Sequence, residues 1–322
     1  MKGYRRLGYA VAVLIFVVVG LPALLARGCG WESEAPVKEE DGGVQVKLQV
    51  AEGKIVSMPL EQYIVGVVAA EMPVSFHEEA LKAQAVAART YTLLRLEEEP
   101  QDEEHPAAPL CSDPGHCQAW IDTAGMRKRW GWHFRSSYNK IAGAVKATSG
   151  QVLTYNGELI DPVYHSSCGG KGTEDAREVW GAEVPYLKSV RCTFDSEKKQ
   201  EAVTTRLTWQ EFYKRLGVDE QAVPAAAGGG AVEIGERTAS GRVKNVKVGS
   251  QIISGVDLRK QLQLRSTDFK ATASDKEIVF STRGYGHAVG LCQYGADGLA
   301  QRGVKYNRIL THYYQGAKLE TR

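Results

Sequence analysis

The chain has almost no net charge, because the 40 Lys and Arg residues among its 322 positions nearly balance 38 Asp and Glu residues, for a formal charge of +2. A dedicated nucleic-acid-binding protein is usually far more basic. The sequence also lacks internal repeats, and it lacks the Gly, Lys and Ser/Thr order of a phosphate-binding loop. Nucleic acid is therefore not expected as a partner, and neither is a nucleotide held in such a loop.

Long apolar runs are equally scarce, and the one exception lies at the N-terminus. Residues 7–26 carry no charged side chain and are long enough to cross a bilayer as one helix. The basic segment 1–6 predicts a cytoplasmic N-terminus, with the rest of the chain outside the membrane. A cleaved signal peptide is the alternative, but Arg27 followed by Gly28 makes a poor cleavage site, so an uncleaved anchor is favoured.

The next segment, 27–43, is acidic and rich in Gly, Pro and Glu, which is typical of a flexible linker. Residues 44–322 are expected to form the folded domain. Its first residues alternate apolar and polar side chains from Val44 to Val50, which predicts a half-buried strand, and 54–58 is the expected hairpin partner. Further along, Asn156-Gly157 between two apolar runs is a strong signal for a second hairpin.

One carboxylic acid, Glu71, stands in an unusual place. It ends the apolar run 64–70 and precedes Met72 and Pro73, where the coming proline pushes the backbone out of helical geometry. A solvated residue at a helix end is the ordinary interpretation. The apolar flanks instead predict partial burial, which would raise the pKa of Glu71 and suit it to deliver a proton near neutral pH. No second carboxylate stands out in the same way.

A second helix is predicted after this turn, with a capping box of Ser75 and Glu78 and many alanines up to about Leu96. Lys82 and Arg89 follow one stripe of this helix, so both cations are expected to face the turn that carries Glu71. A direct ion pair of Arg89 with Glu71 would lower the pKa of the acid. Arg89 is therefore expected at substrate distance from Glu71.

A polar insert, 97–123, contains four potential metal ligands: His105, Cys111, His116 and Cys117. A loop this polar has no hydrophobic core, so a tetrahedral zinc ion would supply its order. The alternative is a disulfide between Cys111 and Cys117 with two incidental histidines. Spacing alone does not decide between them.

Two later loops are rich in possible ligand-binding side chains. The first, 164–171, offers the hydroxyls of Tyr164, Ser166 and Ser167 and the cation of Lys171 at the end of a strand. The second follows the predicted strand 277–282 and is rich in glycine, and there His287 and Gln293 are expected to line a cleft. A glycine-packed corner with His287 in the core is the alternative.

Three further cysteines, Cys168, Cys192 and Cys292, lie in or between these loops. In an oxidising compartment one pair, Cys168 with Cys192, could form a bridge, although the sequence does not fix the connectivity. Together the predicted elements indicate an α+β fold of mixed helices and mostly antiparallel strands. We expect two lobes with a central cleft, preceded by one transmembrane helix.

Four motifs of the sequence are similar to those of a known protein family. They are the EMP turn with the helix EALKAQAVAART, the loop YHSSCGGK, the segment PYLKSV, and the stretch GYGHAVGLCQYGA. The sequence resembles the stage II sporulation protein D family of peptidoglycan lytic transglycosylases, whose last motif typically reads GHGVGMSQYGA. Ala288, Leu291 and Cys292 depart from that pattern, which affects local packing.

The resemblance implies a membrane-held enzyme that acts outside the cell membrane, between mother cell and forespore, on glycan strands without stem peptides. It implies that Glu71 is the catalytic acid, that Lys82 and Arg89 belong to its cleft, and that two His and two Cys residues of the insert bind a structural zinc. The implied partners are the wall amidase stage II sporulation protein P and the membrane scaffold stage II sporulation protein M.

Such an enzyme cleaves the MurNAc–GlcNAc bond without water and leaves a 1,6-anhydro sugar, for which one carboxyl suffices, whereas ordinary glycosidases use two. Two other classes stay open. Relatives that share this domain are described as enhancers of wall amidases, so a binding module without chemistry is one. A catalytic zinc hydrolase is the other, although four protein ligands would leave the ion no open position.

Overall fold

The computed structural model describes residues 43–98, 104–194, 202–218 and 232–322. Residues 43–322 form one compact unit. The predicted anchor 7–26 and nearly all of the linker 27–43 lie outside the described residues. Within the described ranges, no helix combines the length and the apolar character that crossing a bilayer requires. The predicted α+β class with mostly antiparallel strands is confirmed.

The domain opens with the predicted hairpin. Strand β1 (Gln45–Ala51) pairs antiparallel with β2 (Lys54–Pro59), and the alternate side chains of Val46 and Leu48 are fully buried. The short strand β3 (Leu110–Cys111), from the insert, adds to β1 in parallel. The middle of the insert is thereby held to the first strand of the domain.

Two helices follow and form the centre of the larger hydrophobic core. Helix α1 (Leu60–Glu71) ends where Met72 adopts an extended conformation, as the position of Pro73 predicts. Helix α2 (Glu78–Glu97) begins with His77 as its N-cap, whose Nδ1 accepts a hydrogen bond from the amide of Glu79, so the predicted capping box at Ser75 is wrong. Nearly the whole alanine-rich face of α2 is buried, which allows its neighbours to approach closely.

The chain then covers these helices from several sides. Helix α3 (Thr123–Trp130) and a short 3₁₀ turn (Gly131–His133) pack against helix α4 (Phe134–Lys146), which in turn packs against α1 and α2. The predicted Asn156-Gly157 hairpin joins β4 (Gln151–Tyr155) to β5 (Glu158–Leu159), and both turn residues have positive φ. The two-residue strand β6 (Tyr164–His165) and helix α5 (Ala176–Trp180) come next.

A second, smaller hydrophobic cluster is built around Phe212, Phe269 and Phe280. Its elements are strand β7 (Val203–Thr208), helix α6 (Trp209–Leu216), strands β8 (Val232–Ile234), β9 (Asn245–Val248) and β10 (Gln251–Ser254), helix α7 (Gly255–Leu262), and strands β11 (Phe269–Ala273) and β12 (Glu277–Thr282). The strands form two three-stranded sheets, with the orders β11-β12-β7 and β10-β9-β8.

The last elements return to the larger core. They are strand β13 (Leu291–Cys292), helices α8 (Gln293–Gln301) and α9 (Tyr306–Tyr313), and strand β14 (Lys318–Thr321), which pairs with β4. Strand β13 pairs in parallel with β6, so that Cys292 lies opposite His165. This pairing brings the loop after β6 beside the start of α8.

Candidate active site

An open pocket lies at the C-terminal end of α1. Glu71 and the turn that follows it form one wall, Arg129 and Trp130 at the end of α3 form another, and Ser166 with Gln293 and Tyr294 close the third side. All of these residues belong to elements of the larger core. This pocket therefore does not lie in a cleft between two lobes, as was expected, although the domain does contain a second hydrophobic cluster.

The Glu71 carboxyl is mostly buried at the inner end of this pocket. Its Oε1 accepts a 2.8 Å hydrogen bond from the backbone amide of Ala119, and the Gln293 side-chain amide lies 3.4 Å from Oε2. Burial raises the pKa of Glu71 above its ordinary value, and this effect outweighs the opposing hydrogen bonds. The predicted raised pKa is thus confirmed.

Close packing explains how Ala119 reaches Glu71. A side chain at Gly66, one turn before the end of α1, would clash with the indole of Trp120, and the amide of Ile121 donates to the Gly66 carbonyl. The segment that leaves the insert therefore lies directly on α1. Only a residue without a side chain at position 66 allows this approach.

Tyr164 approaches the same carboxyl and has a defined proton position. Its hydroxyl donates to Gln118 Oε1 at 2.8 Å, while the Gln118 amide nitrogen donates to the Thr92 hydroxyl at 3.2 Å. Because that nitrogen faces Thr92, the Gln118 oxygen faces Tyr164 and must accept its proton. Tyr164 also lies close to the Glu71 carboxyl, where its interaction partly opposes the rise in the pKa of Glu71.

Gln293 holds the opposite side of Glu71. It is the first residue of α8 and is 4% exposed, and its amide nitrogen also lies 3.4 Å from Gln84 Oε1 on α2. Gln293, Ser166 and Tyr164 are the predicted site residues that the structure gathers around Glu71.

His287 contacts the pocket indirectly. Its Nε2 donates to the Tyr164 carbonyl at 2.9 Å, and its Nδ1 accepts from the amide of Val289 at 3.1 Å. Burial lowers the pKa of His287 to about 4, so the ring is neutral at physiological pH. We interpret His287 as a residue that positions the backbone of Tyr164. This agrees with the alternative interpretation, in which His287 is a core residue whose ring nitrogens are both hydrogen-bonded to the backbone.

The remaining predicted ligands of this loop lie elsewhere. Ser167 is buried, and its hydroxyl accepts a 3.2 Å hydrogen bond from the amide of Gly169. Lys171 forms a 2.7 Å ion pair with Asp268 next to β11 and so connects this loop to the smaller cluster. Neither side chain lines the pocket, because successive residues of an extended loop point in different directions.

The two cations of α2 are also placed differently from the prediction. Lys82 pairs with Glu78 at 2.7 Å and Glu79 at 3.2 Å on its own helix. Arg89 is 0% exposed, with its guanidinium donating to both oxygens of Glu61 at 2.7 and 2.6 Å. Helical spacing places residues on one face but does not tell which neighbour that face meets, and here the neighbour of Arg89 is the start of α1.

The cation that does line the pocket is Arg129, which the sequence analysis missed. Its guanidinium donates to the carbonyls of Ala69 and Ala70 at 2.5 and 3.4 Å, at the end of α1. A helix C-terminus leaves such carbonyls without helical partners and attracts cations. The Arg129-Trp130 pair in a polar helix was the available signal, but its distance along the chain from Glu71 concealed it.

The four candidate ligands of the insert come together, with their donor atoms within 4.8 Å of one another. Nδ1 of His116 lies 3.1 Å from Nε2 of His105, 3.7 Å from Sγ of Cys111 and 3.5 Å from Sγ of Cys117. Tetrahedral zinc, with bonds of about 2.0–2.3 Å, separates its ligand atoms by roughly 3.3–3.8 Å. Both cysteines are free, so the alternative disulfide is absent from the structure.

Contacts outside this cluster also suit metal binding. Nδ1 of His105 lies 2.7 Å from the Ala108 carbonyl, which places a proton on that nitrogen and leaves Nε2 to face the cluster. Nε2 of His116 lies 3.9 Å from a carboxylate oxygen of Glu104. Metal-binding histidines usually have such partners on their second nitrogen.

Comparisons with known proteins match this sequence to one family. The family model for SpoIID, described as stage II sporulation protein, matches residues 49–155, which include Glu71 and the four insert ligands. Stage II sporulation protein D of Bacillus subtilis is 36% identical over 271 residues, which cover 84% of this chain and 77% of that protein. The protein of the same name from Bacillus amyloliquefaciens is 35% identical over 288 residues, covering 89% and 81%.

A further relative has a different printed name. The amidase enhancer of Bacillus subtilis is 30% identical over 307 residues, which cover 79% of this chain but 40% of that longer protein. The similarity therefore extends across most of this chain for all three relatives.

Proposed function

Because the chain belongs to the stage II sporulation protein D family, we propose that it is a lytic transglycosylase that cleaves MurNAc–GlcNAc bonds of denuded peptidoglycan strands during sporulation. The observation that carries this proposal is a buried glutamic acid with a raised pKa in an open pocket. Among the described residues that line this pocket, Glu71 is the single carboxylic acid. One acid of this kind suits intramolecular cleavage better than hydrolysis, which ordinarily requires a pair.

The reaction needs Glu71 first as an acid and then as a base. The protonated carboxyl gives its proton to the glycosidic oxygen as the bond from that oxygen to C1 of MurNAc breaks. The resulting carboxylate takes the proton of the C6 hydroxyl as that oxygen bonds to C1, so the net reaction consumes no water. Burial favours the acid form, while hydrogen bonds from Ala119 and Gln293 stabilise the carboxylate that follows.

The pocket walls supply the means to hold a sugar beside this acid. Trp130 and Tyr294 present aromatic rings, and the Arg129 guanidinium offers a cation near the anionic groups that peptidoglycan carries. Ser166 adds a hydroxyl. We assign substrate binding to these residues in place of Lys82, Arg89, Ser167 and Lys171.

Product analysis in heavy-oxygen water tests the proposed reaction. Denuded glycan strands digested by residues 43–322 in H₂¹⁸O should yield fragments that end in 1,6-anhydro-MurNAc, each lighter by one water molecule than a reducing end. The expected mass spectra contain no ¹⁸O at the new ends. Reducing ends that carry ¹⁸O would show a hydrolase and contradict the proposed mechanism.

The amidase enhancer relative supports a second candidate function, a wall-binding protein that activates an amidase. In that case the same digest would contain no new glycan ends, while addition of the chain would raise the rate of a wall amidase. The implied partners, stage II sporulation proteins P and M, belong to the proposal in either form. The N-terminal anchor and a site of action outside the cell membrane are also part of the proposal in either form.

We also propose that His105, Cys111, His116 and Cys117 hold a structural zinc ion. Four protein ligands leave no position for substrate, so the ion would supply order to the insert. An ordered insert would also help to position the active site, because the insert leads directly to a residue that contacts Glu71. Cys117 is two residues before Ala119, and the Ala119 amide contacts Glu71.

Substitution of Cys111 by Ser should remove one equivalent of zinc and lower the thermal midpoint of the protein. Activity should fall with it, because a loosened insert no longer holds Ala119 on Glu71. Metal content by mass spectrometry and thermal unfolding measure both effects. Ser112→Ala, in the same loop but outside the ligand set, is the matched control. A Cys111→Ser protein that stays as stable as the wild type but loses all activity would indicate a catalytic ion instead.

A further inference from the structure

Three cysteines that the proposed function does not use meet inside the larger core. The sulfur atoms of Cys168, Cys192 and Cys292 lie within 4.8 Å of one another, and each residue is at most 1% exposed. None of these three cysteines forms a disulfide in the structure, so the bridge considered between Cys168 and Cys192 is absent from it. They come from three separate segments: the loop after β6, the segment that follows α5, and the end of β13.

We propose that Cys168, Cys192 and Cys292 form a second metal site, which binds a thiolate-preferring ion such as Zn²⁺. Cysteine thiolates select zinc and other soft ions over Mg²⁺ or Ca²⁺. Three sulfurs around one zinc, with bonds of about 2.3 Å, lie roughly 4 Å apart. The observed separations therefore require little movement of the side chains.

The surroundings of such a site offset part of its negative charge. Binding displaces three thiol protons to solvent and leaves a complex of one dication with three thiolates, which has a net charge of −1. The Cys292 sulfur accepts 3.3 Å hydrogen bonds from the amides of Cys168 and Gly295. Cys292 is the N-cap of α8, so the positive end of that helix faces the sulfur.

The cluster has room because position 295 lacks a side chain. A Cβ at Gly295 would clash with both the Cys192 sulfur and the Tyr313 hydroxyl. That hydroxyl lies 3.2 Å from the same sulfur. The polar groups of the backbone and of Tyr313 thus surround the sulfurs at a depth where solvent does not reach them.

An ion here would hold the inner side of the active-site pocket. Cys292 directly precedes Gln293, whose amide contacts Glu71, and Cys168 is two residues after Ser166. One metal would join both segments to the segment of Cys192. The inference is independent of the chemistry proposed for Glu71, since it concerns thiols that touch no substrate.

Metal counting on the full-length protein tests the proposal. After reconstitution with Zn²⁺ under reducing conditions, native mass spectrometry should find two equivalents in the wild type and one in Cys168→Ser or Cys192→Ser. Cys111→Ser should lose the zinc of the insert and keep the zinc of the three-cysteine site. The double variant Cys111→Ser/Cys168→Ser should bind no zinc. Titration with Cd²⁺, followed by its sulfur-to-metal absorption band, provides the same count for thiolate ligands.

A measurement on the wild type alone covers variants that do not fold. Because burial alone shields these thiols in the folded protein, the thiol-alkylating pulse is applied in urea that unfolds the metal-free protein. There the zinc-loaded protein should keep Cys168, Cys192 and Cys292 protected, and removal of the metal should speed their alkylation at least tenfold. Alkylation at an unchanged rate after metal removal would overturn the proposal. So would a disulfide among the three cysteines, or a single zinc that Cys111→Ser abolishes. A single zinc that only Cys168→Ser abolishes would support this site and reject the one in the insert.

Discussion

Replacement of Glu71 by Gln should abolish the release of 1,6-anhydro ends while leaving the protein folded. Gln keeps the shape of the side chain and its contact with the Ala119 amide, but it can neither give nor take a proton. General acid–base catalysis contributes about 10²–10⁴-fold to a rate, so the expected loss is on the order of a hundredfold or more. Mass spectrometry of glycan digests measures the loss, and thermal unfolding verifies the fold.

Glu52→Gln is the matched control, because Glu52 lies exposed in the turn between β1 and β2 and should leave the rate unchanged. The pH profile provides a second readout of the same acid. Since burial raises the pKa of Glu71, the acid form persists to higher pH than for an exposed Glu. Activity should then fall on the alkaline side, about tenfold per pH unit once the carboxyl ionises. A Gln variant with near wild-type activity would place the acid elsewhere.

Replacement of Arg89 by Ala should destabilise the protein without a specific effect on glycan binding. The variant leaves the Glu61 carboxylate without its guanidinium partner, and it removes the hydrogen bonds that the guanidinium donates to the carbonyls of Val145 and Gln151. Breaking a buried ion pair by removal of one partner costs about 3–5 kcal/mol. Urea unfolding followed by circular dichroism measures the change in the free energy of unfolding.

Arg206→Ala is the control of the same residue type. Arg206 pairs with Glu277 at the surface, where its side chain is 64% exposed, and the loss of such a pair costs at most about 1 kcal/mol. If Arg89→Ala instead keeps wild-type stability and weakens glycan binding, Arg89 contacts substrate and the structural role assigned here is wrong.

Elements that depend on neighbouring residues could be predicted from the sequence. The hairpin of β1 and β2, the Asn156-Gly157 turn and the cap of α6 at Thr208 all follow from side chains within a few positions. The position of Glu71 at a helix end also follows locally, because Pro73 is two residues away. The raised pKa could be predicted for the same reason, since apolar neighbours in sequence contribute to its burial.

Contacts between distant segments could not be predicted in this way. Ala119 reaches Glu71 across 48 positions, through a close approach at Gly66 that has no periodic signal. Arg129 reaches the end of α1 across 60 positions. Arg89 shows the same limit, because helical spacing gives its position around α2 but not its partner, which is Glu61 instead of the expected turn at Glu71. Periodicity identifies a face, and only tertiary packing decides what covers it.

The pairing of Glu71 with Gln293 affects how the protein gains activity during synthesis. These two residues are 222 positions apart, and Gln293 lies in the last tenth of the chain. A growing or truncated chain that ends before α8 has the acid but not the amide that faces it, nor the wall that Tyr294 provides. The pocket proposed to cut glycan strands is thus incomplete in any fragment that lacks α8, and such a fragment would leave the cell wall intact.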